Sequence, residues 1–218
     1  MVKMHFRVTF IEPVLGTTSN NKELFTEYIA SKAPDSASKE EEVAAFGVDA
    51  TVEKSMTIFP KLEDGTPFLW DYQIKGFFKD SCSALQRCKA EELAKESCKL
   101  RAFKKVIDGC IFPQPRKIPI NIQDGEISTL QRPLRANTPQ GERVSIAISE
   151  CVPAGSTAEF DILCLSKEYE KAILEWMEYG ILRGFLQWRN AGYGRFVYEL
   201  LDDDGNVIGG NKGESSVA

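Results

Sequence analysis

The sequence predicts an α+β domain: one antiparallel sheet built from two strand-helix units and a closing strand, with helices packed on it and a thumb-like insertion. Three observations predict it. An alternating strand opens the chain at residues 2–11, a strand pair at 143–165 runs directly into an amphipathic helix, and a glycine-rich loop at 187–195 delivers a last apolar strand.

In the opening strand, Met4, Phe6, Val8 and Phe10 share one face, the mark of a half-buried strand. Pro13 and Gly16 stop it, and Thr17 to Asn21 lead into a helix carrying Leu24, Phe25, Tyr28 and Ile29. Ser38 and Glu41 form a capping box for a second helix that ends at Gly47. Residues 56–60 and 66–70 read as a hairpin or looped pair of extended segments about Asp64-Gly65. A helix from near Gln73 then lines up Ile74, Phe77, Phe78, Cys82 and Leu85. After a long, weakly patterned stretch at about 86–142, a strand from Arg143 to Cys151 turns at Pro153–Ser156 into its expected partner, Thr157–Leu165. The helix at 166–184 buries Tyr169, Ile173, Trp176, Met177 and Ile181, and the strand Phe196–Leu200 closes the domain. This order fits the split βαβ, or ferredoxin-like (RRM-like), arrangement better than a parallel sheet.

The 218 residues, 43% hydrophobic, suit a single domain at 1–201 with an insertion at about 86–142; the polar, glycine-rich residues 202–218 read as a flexible tail. No apolar run is long enough to span a bilayer and the opening residues lack a signal-peptide core, so a cytoplasmic protein without a membrane partner is expected. Six cysteines show no CxxC pair and stand beside one histidine, which predicts reduced, mostly buried thiols, no metal and no cofactor.

Twenty-seven basic residues against 32 acidic ones argue against sequence-independent adhesion to nucleic acid, so any such site must be local. Residues 22–54 hold eight acidic and four basic side chains; residues 86–117 hold nine basic and four acidic, among them Arg101, Lys104, Lys105, Arg116 and Lys117. In the loop at 187–195, Gly192 and Gly194 suit close backbone approach with exposed amide donors, Arg189 and Arg195 suit phosphate, and Trp188 and Tyr193 suit a stacked base. The same residues also suit a plain helix-to-strand turn.

Residues 192–196 read Gly-Tyr-Gly-Arg-Phe, a sequence that resembles the loop before the final strand in the RAMP superfamily, which supplies backbone subunits of CRISPR effector complexes. Asp64–Phe68 followed by Ile74-Lys75-Gly76-Phe77-Phe78-Lys79 is similar to that family's extended segment and Leu-Lys-Gly helix. Val152–Phe160 is similar to its Pro-Gly turn and strand, and the three follow family order. The chain departs from the pattern with a single glycine at Gly16, with Trp70-Asp71-Tyr72-Gln73 before the helix, and with Lys79 where arginine is usual.

The resemblance implies single-stranded, guide-type RNA as ligand, head-to-tail association into a homo-oligomer or filament, and other CRISPR-type subunits as partners in antiviral defence. It directs attention to Lys75, Gly76 and Lys79, read physically as an anion-favouring helix start, together with the 188–195 loop and the sheet face. A second reading, from the acidic segment and the missing glycines, is a phage or mobile-element RAMP-like protein that blocks or mimics a host defence complex or sequesters a nucleotide. A third is a ribonuclease using Asp49 or His5.

Overall fold

Alternation in the first strand decides the layering. The computed structural model describes residues 1–19, 56–88, 95–138 and 141–212. In β1 (Val2–Phe10), Met4, Phe6, Val8 and Phe10 are buried while Lys3, His5 and Arg7 lie on the opposite face. β1 runs antiparallel to two strands at once: β10 (Thr157–Cys164), from Val2 opposite Cys164 to Thr9 opposite Thr157, and β11 (Phe196–Leu201), from His5 opposite Leu201 to Phe10 opposite Phe196.

On the far side of β10 lie β6 (Ile111–Gln114) and β7 (Lys117–Asn121), and β5 (Phe68–Trp70) pairs with β7 beyond them. β12 (Val207–Gly210) borders β11, which gives the order β12-β11-β1-β10-β7-β5. Helix α1 (Asp71–Cys88) joins β5 to the segment holding α2 (Lys95–Lys99) and α3 (Phe103–Cys110); α4 (Glu170–Glu178) joins β10 to β11. Counting β6 and β7 as one position, the core reads strand, helix, strand, strand, helix, strand, with the first strand between the third and last. That is the ferredoxin-like α+β arrangement.

The helices cover one face of the sheet. Ile74, Phe77, Phe78, Cys82 and Leu85 of α1 and Ile173, Trp176 and Met177 of α4 are buried, as their spacing predicts. Phe78 and Trp176 meet at 5.2 Å between ring centres, while Phe77, Phe185 and Phe196 cluster with centroids 4.3 to 5.3 Å apart. Burial also raises the Cys82 thiol to about 11, so it stays protonated at neutral pH. None of the six cysteines is in a disulfide; Cys82, Cys151 and Cys164 are buried, and Cys88 and Cys98 are exposed. No helix among the described residues is long and apolar enough to cross a membrane.

Several boundaries differ from the sequence reading. The strand foreseen at 143–151 is β9 (Gly141–Val152), and its partner is β8 (Ser128–Thr138) rather than β10. β10 has no free edge to offer it, being taken by β1 on one side and by β6 and β7 on the other. The Pro153–Ser156 turn therefore carries the chain from one sheet to another. Besides β8, β9 pairs with β2 (Val14–Leu15) and β4 (Thr57–Ile58), and β4 pairs with β3 (Thr18–Ser19).

Residues 86–142 are likewise not wholly an insertion, since β6 and β7 are central-sheet members and only the β8–β9 hairpin stands apart. The turn at 60–68 closes through Leu62 N–H to Thr66 O and Phe68 N–H to Pro60 O, but its arms then diverge to different sheets. The helix foreseen at 166–184 is α-helical only over 170–178, flanked by 3-10 turns at 167–169 and 179–181. Within the stretch read as a tail, residues 207–210 form β12, anchored where Asn211 donates to Glu178 and accepts from the Tyr198 amide. The helices foreseen at 22–47 lie outside the described residues.

Glu175 fixes α2 to α4. Its carboxylate accepts from the Glu96 amide at 2.5 Å, the Ser97 amide at 2.9 Å and the Ser97 hydroxyl at 2.8 Å, and the Trp176 indole donates to that hydroxyl at 3.0 Å. Glu175→Ala leaves these donors without an anion and is expected to lower unfolding free energy by about 2 kcal/mol or more in urea denaturation. A loss near zero would mean that water replaces the carboxylate.

Candidate nucleic-acid interface

Between α4 and β11 the chain makes a loop whose two ends touch. A Cβ on Gly184 would lie 1.9 Å from the Gly194 carbonyl carbon, and one on Gly194 would lie 2.4 Å from the Phe185 oxygen. Gly194 also has φ +71°, a region open to glycine. Phe185 N–H donates to Gly194 O and Gly194 N–H to Pro13 O, which locks the loop base to the chain after β1. Gly192 N–H donates to Arg189 O inside a 3-10 turn at 189–191. The expectation that Gly192 and Gly194 offer free amides is therefore overturned. Both amides are spent within the fold, and Gly194 is required by a backbone crossing.

The side chains of the loop are held by partners from other elements. Leu186 and Trp188, on either side of Gln187 in the chain, both adopt left-handed backbone conformations, φ +62° and +60°. The Gln187 amide donates to Gly16 O, to Thr57 Oγ1 at 3.0 Å and to Ser149 Oγ at 3.1 Å, tying the loop to the small sheet. Trp188 lies 5.5 Å from Tyr193 between ring centres, and the guanidinium of Arg132 on β8 covers its indole at 3.1 Å.

One cleft, of about 290 Å³, is lined by Thr17, Gln73, Gly76, Phe77, Leu186, Gln187 and Arg189. Across the loop a second, of about 340 Å³, is lined by Arg183, Trp188 and Asn190 together with Leu186, Gln187 and Arg189. Gly76 on α1 and Arg189 on the loop thus face one space. Nothing lies within 4 Å of a Cβ built on Gly76, so the helix surface is flat and open there.

The local charge is positive although the chain is acidic. Arg183 and Arg189 share one carboxylate, that of Asp80; the Arg189 contact is 3.1 Å. The hydrogen bond to Asp80 raises the Arg183 pKa against the opposing effect of burial. Arg195 pairs with Glu12 at 2.7 Å. Arg132 pairs with no described carboxylate. Four arginines thus stand against two carboxylates.

Other foreseen residues lie elsewhere. α1 begins at Asp71, where the Trp70 amide donates to Gln73 Oε1, so Lys75-Gly76 stands one turn inside the helix and is not its start. Lys75 donates to Asp108 O and sits over Phe112, and Lys79 pairs with the Asp108 carboxylate at 2.6 Å. Neither lysine lines the cleft with Gly76. The open sheet face is a ladder of ion pairs, with Lys3 on Asp161 and Arg7 on Glu159 and Glu199, and His5 in hydrogen-bond contact with Asp161.

The His5 ring, placed as a general base, has Nδ1 2.6 Å from Asp161 and Nε2 3.7 Å from Glu159 within that ladder. Asp49 lies outside the described residues. Arg116 covers Trp70 at 5.8 Å and Lys117 covers Phe68 at 5.5 Å, away from the loop, while Arg101, Lys104 and Lys105 are exposed beside or on α3. Sequence reasoning missed Arg132, Arg183 and Gln187. Arg183 was legible as a third arginine near the loop, but Arg132 gains its place only through strand pairing.

No family model matches the chain, and no curated protein matches it. Among solved structures, the chain is similar to one from the Type III-B Cmr-beta complex bound to cognate target RNA, with 14% identity and a TM-score of 0.45. The match covers 92% of this chain and 59% of that one, so this chain spans less than two thirds of that neighbour's length.

Two glycines separate backbone necessity from open surface. Gly184→Ala is expected to lose about 1–3 kcal/mol of stability through its clash with Gly194. Gly76→Ala is expected to gain about 0.5–1 kcal/mol, as an exposed helix glycine replaced by alanine. Thermal denaturation of both variants reads the contrast, and equal effects would contradict this loop geometry.

Proposed function

We propose that the protein binds single-stranded RNA as a RAMP-like subunit of a CRISPR-type ribonucleoprotein. The observation that carries the reading is the convergence of Gly76 with Gln187 and Arg189 in one open cleft, beside the tilted ring pair of Trp188 and Tyr193. A flat helix surface lets a sugar-phosphate backbone approach, the arginine surplus favours its charge, and an aromatic pair accepts unstacked bases. Open, shallow grooves suit an extended strand better than an enclosed small molecule. The three ordered motifs that resemble the RAMP superfamily support the same reading.

The reading locates RNA at the loop and α1, since the cations of the sheet face are already engaged by carboxylates and offer phosphate no free charge. The projecting β8–β9 hairpin, with Ile146 63% exposed, is the element assigned to association with a neighbouring copy.

The test is anisotropy of a labelled single-stranded RNA titrated at several salt concentrations. Arg189→Ala is expected to weaken binding and to lower the salt slope by about one. Tyr193→Ala should cost about 1–3 kcal/mol if a base stacks there. Gly76→Ala should weaken binding although it stabilises the fold. A nucleic-acid-free monomer that ignores RNA at low salt would refute the proposal.

A further inference from the structure

The strongest feature left unused by the cleft is Arg132. Its side chain is nine-tenths buried, with 9% of its surface exposed, and both Nε and Nη1 are buried without a hydrogen-bond partner. No described carboxylate pairs with it, whereas Arg183, Arg189 and Arg195 each have one. Burial lowers its pKa, with Tyr193 opposing. A buried guanidinium with unmet donors is costly, and the contact with the Trp188 indole offsets only part of that. An anion would satisfy it.

Arg132 lies opposite Ala147 in the β8–β9 pairing, and Leu130 lies opposite Ser149, so Arg132 and Ser149 occupy the same face of the hairpin. The loop docks on this face twice, through Gln187 on Ser149 and Trp188 on Arg132. The donors are therefore held between the hairpin and the loop, beside an aromatic pair.

We infer that Arg132 is a phosphate-binding residue, which takes a nucleotide phosphate while Trp188 and Tyr193 hold the adjoining base. The inference rests on the RNA-binding reading for the source of the phosphate. Its chemistry is shared by a polynucleotide backbone, a mononucleotide and free phosphate.

The test uses the full chain, with Arg132→Met, which keeps length and stacking but removes the charge, and Arg132→Lys, which keeps the charge. Thermal midpoints are compared in potassium phosphate and potassium chloride at equal ionic strength, and binding of a short oligouridylate is titrated against salt. The wild type should melt higher in phosphate. Arg132→Met should lose that increment, melt no lower than wild type in chloride, bind the oligouridylate about tenfold more weakly and show a salt slope smaller by about one. Arg132→Lys should recover part of the phosphate increment.

If the phosphate increment depends on Arg132 but no oligouridylate binds, the phosphate site stands and the RNA reading fails. If Arg132→Met binds the oligouridylate like the wild type with the same slope, the RNA reading stands and this inference is overturned. It is overturned also if Arg132→Met melts well below the wild type in chloride while keeping the phosphate increment, for Arg132 would then be only a stacking partner.

Discussion

β1 is hydrogen-bonded along both edges, and this double pairing organises the molecule. With β10 on one side and β11 on the other, both strand-helix units must cross the same sheet, and Phe6, Val8 and Phe10 share one core with the buried residues of their helices. The chain leaving β1 runs past the end of β11, where Pro13 O accepts from Gly194 N–H and the Ile11 amide donates to Arg195 O. The loop before β11 is thus held by the strand that began the fold.

That arrangement separates two surfaces of opposite character. On the solvated sheet face, cations of β1 stand across from carboxylates of β10 and β11 and neutralise one another. At the loop end, Asp80 serves two arginines, and Arg132 pairs with no carboxylate among the described residues. A chain with net charge −5 therefore carries a small positive region where α1, the loop and the hairpin meet.

Much of the fold was legible because it rests on short periods. β1, α1 and α4 bury residues that their spacing indicates, although Tyr169 and Ile181, foreseen on the same buried stripe as Ile173, Trp176 and Met177, are only half-buried. β6, β7 and β8 were not legible, because Pro113, Pro119 and Pro133 interrupt them and β8 is rich in polar residues. The partner of β9 was misread for a physical reason: adjacency across a turn favours a hairpin, but β10 had no edge left to give. In the candidate site, Trp188, Arg189, Tyr193 and Gly76 were visible as residue types. The internal use of the Gly192 and Gly194 amides and the turning away of Lys75 and Lys79 depend on partners distant in sequence, as does the isolation of Arg132.

The hairpin has a mechanical side. β8 has eleven residues, which at strand rise is a reach of roughly 35 Å from its root. Gln187 clamps that root by joining Gly16, Thr57 and Ser149, three segments far apart in the chain. With the clamp so close to the base, most of the length of the hairpin extends beyond it.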